Sequence, residues 1–150
     1  MLSSTNSIKS GSVICINLNC YCRWISKKIT NVRLWEDDKK KPWRLSVSQA
    51  GYEVLCVSQF TLLASLKGNK PSFHEAMPPS EARVLYSQFL SLTKEAYENG
   101  RNKENQLERP ESDDEDIIKD GVFGAMMEVS LVNDGPVTLL FDSHDKNYDK

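Results

Sequence analysis

The sequence predicts an α+β domain in which a long helix covers one face of a sheet, and three stretches carry that expectation. Glu53 to Leu63 is almost continuously apolar, with Val54, Leu55, Val57, Phe60, Leu62 and Leu63, and is rich in the β-branched and aromatic residues that suit a strand. Ala82, Leu85, Tyr86, Phe89, Leu92 and Ala96 repeat at helical spacing. Val129 to Val132 and Val137 to Leu140 read as two strand patterns on either side of Asp134-Gly135-Pro136.

Composition sets outer limits on function. A chain of 150 residues is long enough to bury the core of one domain without disulfides or metal, and nothing suggests a second. Lys and Arg number 19 against 21 Asp and Glu, a net charge of −2, so any contact with RNA has to be local and small. The four cysteines, Cys15, Cys20, Cys22 and Cys56, occur without a secretory leader pattern or an apolar run able to span a bilayer. That usage predicts a reduced, soluble, cytoplasmic protein with no membrane partner. Cys20 and Cys22 have no second Cys or His pair at zinc spacing, so no metal is expected, and Cys15 and Cys56 read as small core residues.

Taken in order, the chain opens with a Ser-, Thr- and Asn-rich end over about residues 1–12, expected to be poorly ordered. Val13 to Ile16 suits one buried strand. Asn17 to Trp24 shows neither alternation nor turn chemistry, whereas Tyr21 to Leu34 reads as a helix with Trp24, Ile25, Ile29 and Val32 on one face and Lys27 and Lys28 on another. Glu36 to Pro42 is a charged turn; a short lysine run such as Lys39-Lys40-Lys41 is ordinarily a solvated loop, although it could touch a phosphate backbone. Ser46 to Gly51 is a second turn region.

The strand from Glu53 turns polar at Ser58, Gln59 and Thr61. Such a strand often delivers groups to a site at a sheet edge, although hydrogen-bonded core polar groups are the commoner outcome. Lys67 to Pro71 is a loop with two cations. Pro78-Pro79-Ser80 begins the long helix, with Ser80 as N-cap, Glu81 near its positive end and Asn99-Gly100 as its stop. Residues 101–116 carry Glu111, Asp113, Asp114, Glu115 and Asp116 and few apolar side chains, so they read as a solvated acidic insertion. Ile117 to Gly124 leads to a strand beginning near Met126, and residues 142–150 form a polar tail expected to fray.

Gly135-Pro136 has two possible uses. Asp-Gly between alternating apolar residues is a common hairpin signal. Glycine also lets another group approach its backbone, while the following proline rigidifies the turn and can take the cis form.

No hydrolase elbow, phosphate-binding loop, dinucleotide fingerprint or zinc-protease helix is present. Neither His74 nor His144 has a motif partner for a nucleophilic triad. Any catalysis would then work through backbone donors, hydroxyls or the substrate's own groups.

Ser58-Gln59-Phe60-Thr61-Leu62, followed by Asn133-x-Gly135-Pro136-x-Thr138, resembles the paired signature of the D-aminoacyl-tRNA deacylases. Phe123-Gly124-Ala125-x-Met127 and Leu66-Lys67-Gly68-Asn69-Lys70-Pro71-x-Phe73-His74 are similar to the eukaryotic form of that family. The resemblance runs from about Ile29 to His144, interrupted by the acidic insertion. It implies β-sheet layers with covering helices, a homodimer, no cofactor, and hydrolysis of the ester joining a D-amino acid or glycine to the 3′-terminal adenosine of tRNA. By the same resemblance Ser58, Gln59, Phe60 and Thr61 line the scissile ester, with backbone N–H groups near Phe60 and Thr61 for the oxyanion. Gly135 and Pro136 would form a chirality-rejecting wall reaching into the partner's pocket. Phe123, Gly124 and Met127 would border the terminal adenine, with Asn133 and Thr138 completing the substrate-binding set.

A rigid wall suits this task, because attraction alone separates mirror images weakly and a clash separates them strongly. In one respect the chain departs from the family, which opens with a strand carrying a Gln-Arg pair that has no equivalent here. That departure raises the expectation of a shortened, catalytically impaired form acting as a nucleic-acid-binding or interaction module.

Overall fold

The computed structural model describes residues 11–16, 22–101, 117–132 and 137–143. Its centre is a parallel sheet of β1 (Gly11–Ile16), β4 (Glu53–Ser58) and β7 (Ile118–Asp120), with β4 in the middle. Gly11 pairs with Glu53 and Ile16 with Ser58, so β1 follows β4 along its whole length. On the other side Val54, Leu55 and Cys56 face Ile118, Lys119 and Asp120. Gly11 and Ser12, expected in the ragged end, therefore belong to the sheet. A half-buried ion pair, Lys119 Nζ to Glu53 Oε1 at 2.9 Å, ties β7 to β4.

Helices α1 (Cys22–Asn31) and α3 (Pro79–Arg101) pack against each other over this sheet. Cys22, Ile25 and Ile29 fall three and four residues apart, which puts them on one stripe, and all three are buried. Trp24 and Val32, assigned to the same stripe from the sequence, are half-buried, and the helix ends at Asn31. In α3 the buried residues are Tyr86, Phe89, Thr93 and Tyr97. The contact between the two helices is lined by hydroxyls that satisfy one another. Ser26 and Thr93 lie 3.0 Å apart, Thr93 donates to the Phe89 carbonyl, and Thr30 donates to the Ser26 carbonyl. Small side chains let the helix axes approach, and their partners remove the cost of burying the polar atoms.

Four expectations about element ends are corrected. The helix starts at Pro79 rather than after a Ser80 cap, since Ala82 N already bonds to the Pro78 carbonyl and proline suits a first helical position. It also runs through Gly100, so Arg101 belongs to the helix and not to the insertion. Ser46 to Gly51 contains a one-turn helix, α2 (Val47–Ala50), after the two-residue strand β3 (Leu45–Ser46) that pairs with β2 (Arg33–Trp35). A capping box between Ser46 and Gln49 opens α2, and Gly51 at φ +71° closes it. Lys67 to Pro71 is the tip of a hairpin, β5 (Ser65–Lys67) with β6 (Lys70–Ser72), rather than a free loop.

The largest difference concerns the strand expected near Met126 and the patterns at 129–132 and 137–140, none of which forms a strand among the described residues. After β7 the chain turns at Val122 to Ala125, where Ala125 N bonds to the Val122 carbonyl and Gly124 takes φ +75°. Beyond that turn no described strand runs alongside to supply a ladder. Alternating apolar residues provide a face, but the hydrogen bonds of a strand have to come from a neighbour. Val129, Leu131, Val132, Val137, Leu139 and Leu140 are consequently exposed.

Candidate active site

β4 and β7 are parallel, so their C-terminal ends open on the same side of the sheet, the side on which open parallel sheets ordinarily take ligands. The strand read as Glu53 to Leu63 leaves the sheet at Ser58. Gln59 stays extended and Phe60 to Leu63 coil into a 3₁₀ turn, with Leu62 N bonding to the Gln59 carbonyl at 3.3 Å and Ala64 N to the Thr61 carbonyl at 3.0 Å. The departure follows from pairing, because β1 ends opposite Ser58 and β7 ends opposite Cys56. Past those points no described strand offers an extended chain a partner.

The turn shapes the motif. Gln59 precedes it without capping it; the Gln59 side-chain amide donates instead to the Thr61 hydroxyl. Phe60 is 58% exposed and meets Phe73 of the hairpin edge to face, with ring centroids 5.0 Å apart. The N–H groups of Phe60 and Thr61 precede the first bond of the turn, so the turn gives them no backbone acceptor.

The second group of predicted residues reaches the same edge through Cys56 and Val57. Gly121 N donates to the Cys56 carbonyl at 3.0 Å, and the Tyr86 hydroxyl donates to the same oxygen at 2.9 Å. Phe123 packs on Tyr86 with centroids 5.6 Å apart and rings tilted by 43°. The Arg83 guanidinium lies over the Phe123 ring, 4.8 Å from its centre. Met127 covers Gly121: a Cβ placed there would lie 3.3 Å from Met127 Sδ and 3.9 Å from Val57. Phe123 and Met127 thus sit beside the residues that directly precede Ser58.

Thr138 is exposed in an irregular segment and joins no strand. Asn133, Gly135 and Pro136 lie outside the described residues. Two contributors were missed in the sequence: Arg83 was passed over, and Tyr86 counted only as a core residue. Their spacing of three residues on a helix, which turns both side chains to one side, was the available signal.

The buried groups nearest this edge are held in their neutral forms. Burial, aided by the charge of Asp120, pushes the Cys56 thiol up to about 12, and burial raises the Tyr86 phenol as well. His74 sits on the hairpin, with Nδ1 3.0 Å from the Ser72 hydroxyl and Nε2 3.7 Å from Glu75. Among the described residues no group of three His, Cys, Asp or Glu side chains could hold a metal ion, and no helix is long and apolar enough to cross a membrane. What the edge offers a substrate is an amide, hydroxyls, backbone donors and an aromatic face beside a cation.

The sequence model of the family described as D-Tyr-tRNA(Tyr) deacylase matches residues 4–142. A D-aminoacyl-tRNA deacylase of Dictyostelium discoideum is 48% identical over 124 residues, covering 82% of this chain and 72% of that protein. The D-aminoacyl-tRNA deacylase 1 of Homo sapiens is 47% identical over 117 residues, 78% of this chain and 48% of that protein. The chain therefore spans about half the length of that relative. A solved structure described as a c-Myc DNA Unwinding Element Binding Protein is 41% identical with a TM-score of 0.70, over 88% of this chain and 81% of that one. A second, described as a probable eukaryotic D-amino acid tRNA deacylase, shares the fold at 16% identity and a TM-score of 0.58, over 77% of this chain and 76% of that one.

Proposed function

The chain belongs to the D-aminoacyl-tRNA deacylase family, and on that premise we propose that it hydrolyses the ester between a D-amino acid, or glycine, and the 3′-terminal adenosine of tRNA. The observation that carries the proposal is the common edge of β4 and β7, where Gly121, covered by Met127, lies beside Val57, the residue before Ser58. An ester bound there meets hydroxyl and amide groups on one side and an aromatic platform for a base on the other.

In this reading water attacks the ester carbonyl, the N–H groups of Phe60 and Thr61 receive the developing oxyanion, and its collapse breaks the bond to the ribose 3′-oxygen, which takes a proton from the attacking water as the amino acid leaves. Loss of one such donor typically lowers the rate about 10²- to 10³-fold. Gln59 orients the Thr61 hydroxyl, and Phe123 and Met127 take the adenine. Gly135 and Pro136 complete the pocket from a second copy of the chain, presenting main-chain atoms against which an L side chain clashes. Support for a homodimer comes from the exposed apolar residues that flank this pair, Val129, Leu131 and Val132 before it and Val137 and Leu139 after it. The reaction needs no cofactor in this reading, and its place is the cytoplasm, where aminoacyl-tRNA is used.

Hydrolysis of matched D-tyrosyl-tRNA and L-tyrosyl-tRNA by the purified chain tests the proposal. The expected result is loss of the D ester alone, with Gly135→Ala hydrolysing the D ester much more slowly. A folded protein that spares both esters, or cleaves both alike, would overturn it.

A further inference from the structure

We propose that Arg83 binds the phosphate on the 5′ side of the substrate's terminal nucleotide while Phe123 meets the base of that nucleotide. The inference rests on the deacylase reading and adds a specificity-determining residue to it. Arg83 and Tyr86 stand three apart on α3 and both touch Phe123. Tyr86 is in turn bonded to the Cys56 carbonyl, two residues before Ser58. The cation is therefore held in a fixed relation to the strand that carries the reacting motif, although it belongs to a different element.

The placement of the guanidinium suits a ligand, because it is exposed and lies over the Phe123 ring. Arg83 has no ion pair among the described residues, so no carboxylate there competes for its N–H groups. With Cζ 4.8 Å from the ring centre, the guanidinium keeps N–H donors for the oxygens of a phosphate, which a planar fork can meet two at a time. The overall charge of −2 supplies no diffuse attraction for RNA. A phosphate contact has to come from a cation placed at the site, and Arg83 is placed beside the ring proposed for the base.

The test compares the D-tyrosyl ester of adenosine with the D-tyrosyl ester of adenosine 5′-monophosphate, which differ only in that phosphate. Arg83→Ala should lower kcat/KM on the phosphorylated ester roughly tenfold, through KM, as expected for the loss of one charge-assisted contact. It should leave the adenosine ester unchanged, and Arg83→Lys should recover part of the loss. An equal loss on both esters would show that Arg83 only supports the Phe123 ring, and no loss on either would show that it contacts nothing; both overturn the proposal. The D-tyrosyl-tRNA assay decides the deacylase reading separately. Where the small esters are not turned over, displacement of a labelled CCA trinucleotide by adenosine and by adenosine 5′-monophosphate makes the same comparison. Loss of the monophosphate's advantage in Arg83→Ala sustains the assignment, whereas no binding by the wild type, or an unchanged advantage, overturns it.

Discussion

Cys56 lies where the sheet, α3 and the candidate site meet. Its side chain is fully buried and its carbonyl accepts from both Tyr86 and Gly121. An unfolded thiol ionises near pH 9.0, while in the fold burial holds this one protonated until about 12. Unfolding therefore releases a proton above pH 9. The stability tied to this group is complete below that pH and is lost as pH rises towards 12. Urea melts across this range should show stability falling more steeply for the wild type than for Cys56→Ala; the slopes are compared, not the levels. Equal slopes would mean that the thiol is not desolvated. At this scale the sequence was partly legible. An isolated cysteine in an apolar strand pointed to the core, whereas the role of Arg83 depends on a ring contributed from forty residues away and leaves no local trace.

Among the elements, α3 was readable because its apolar stripe repeats over several turns, and its end was misread because Gly100 looked like a stop. The glycine is there for a close approach. A Cβ at position 100 would lie 2.6 Å from the Ser48 hydroxyl and 3.2 Å from Ser48 Cβ. Ser48 cannot easily give way, since its hydroxyl donates to the Thr30 carbonyl and lies 3.0 Å from the Ser46 hydroxyl. Gly→Ala inside a helix ordinarily stabilises by roughly 0.5 to 1 kcal/mol, and overpacking costs roughly 1 to 3 kcal/mol. Here the clash should win: Gly100→Ala is expected to be less stable by about 1 kcal/mol, lowering Tm by about 2 to 4 °C. A Tm at or above that of the wild type would show that α2 and α3 are not in contact there. The 3₁₀ turn at Phe60 to Leu63 was hidden for the opposite reason, since its apolar residues continue the strand pattern while the described ladder stops at Ser58. The capping box at Ser46 and Gln49 did have a sequence signature, Ser-x-x-Gln, hidden in a stretch that otherwise reads as a turn.

For the whole molecule, the mixed class was legible and the order of its strands was not. Helices and strands have local periods, whereas the pairing of β1, β4 and β7 is a choice among distant partners. The exposed segments at 129–132 and 137–140 carry the consequence for assembly. A homodimer should appear in light scattering at twice the chain mass of 17.0 kDa. Val132→Glu, at a residue with its side chain almost wholly in solvent, should shift the protein towards the monomer and lower turnover with it. A wild type that scatters as a monomer while cleaving the D ester would remove the dimer from the proposal.

The pairing of β7 on β4 also has a meaning in time. Val54 meets Ile118 across a long stretch of chain, and closing so long a loop is slow compared with forming a helix. As the chain leaves the ribosome, the strand bearing Ser58 emerges well before the segment bearing Phe123. During that interval the motif at residues 58–61 stands without its neighbour, so the proposed site stays incomplete at least until β7 docks on β4.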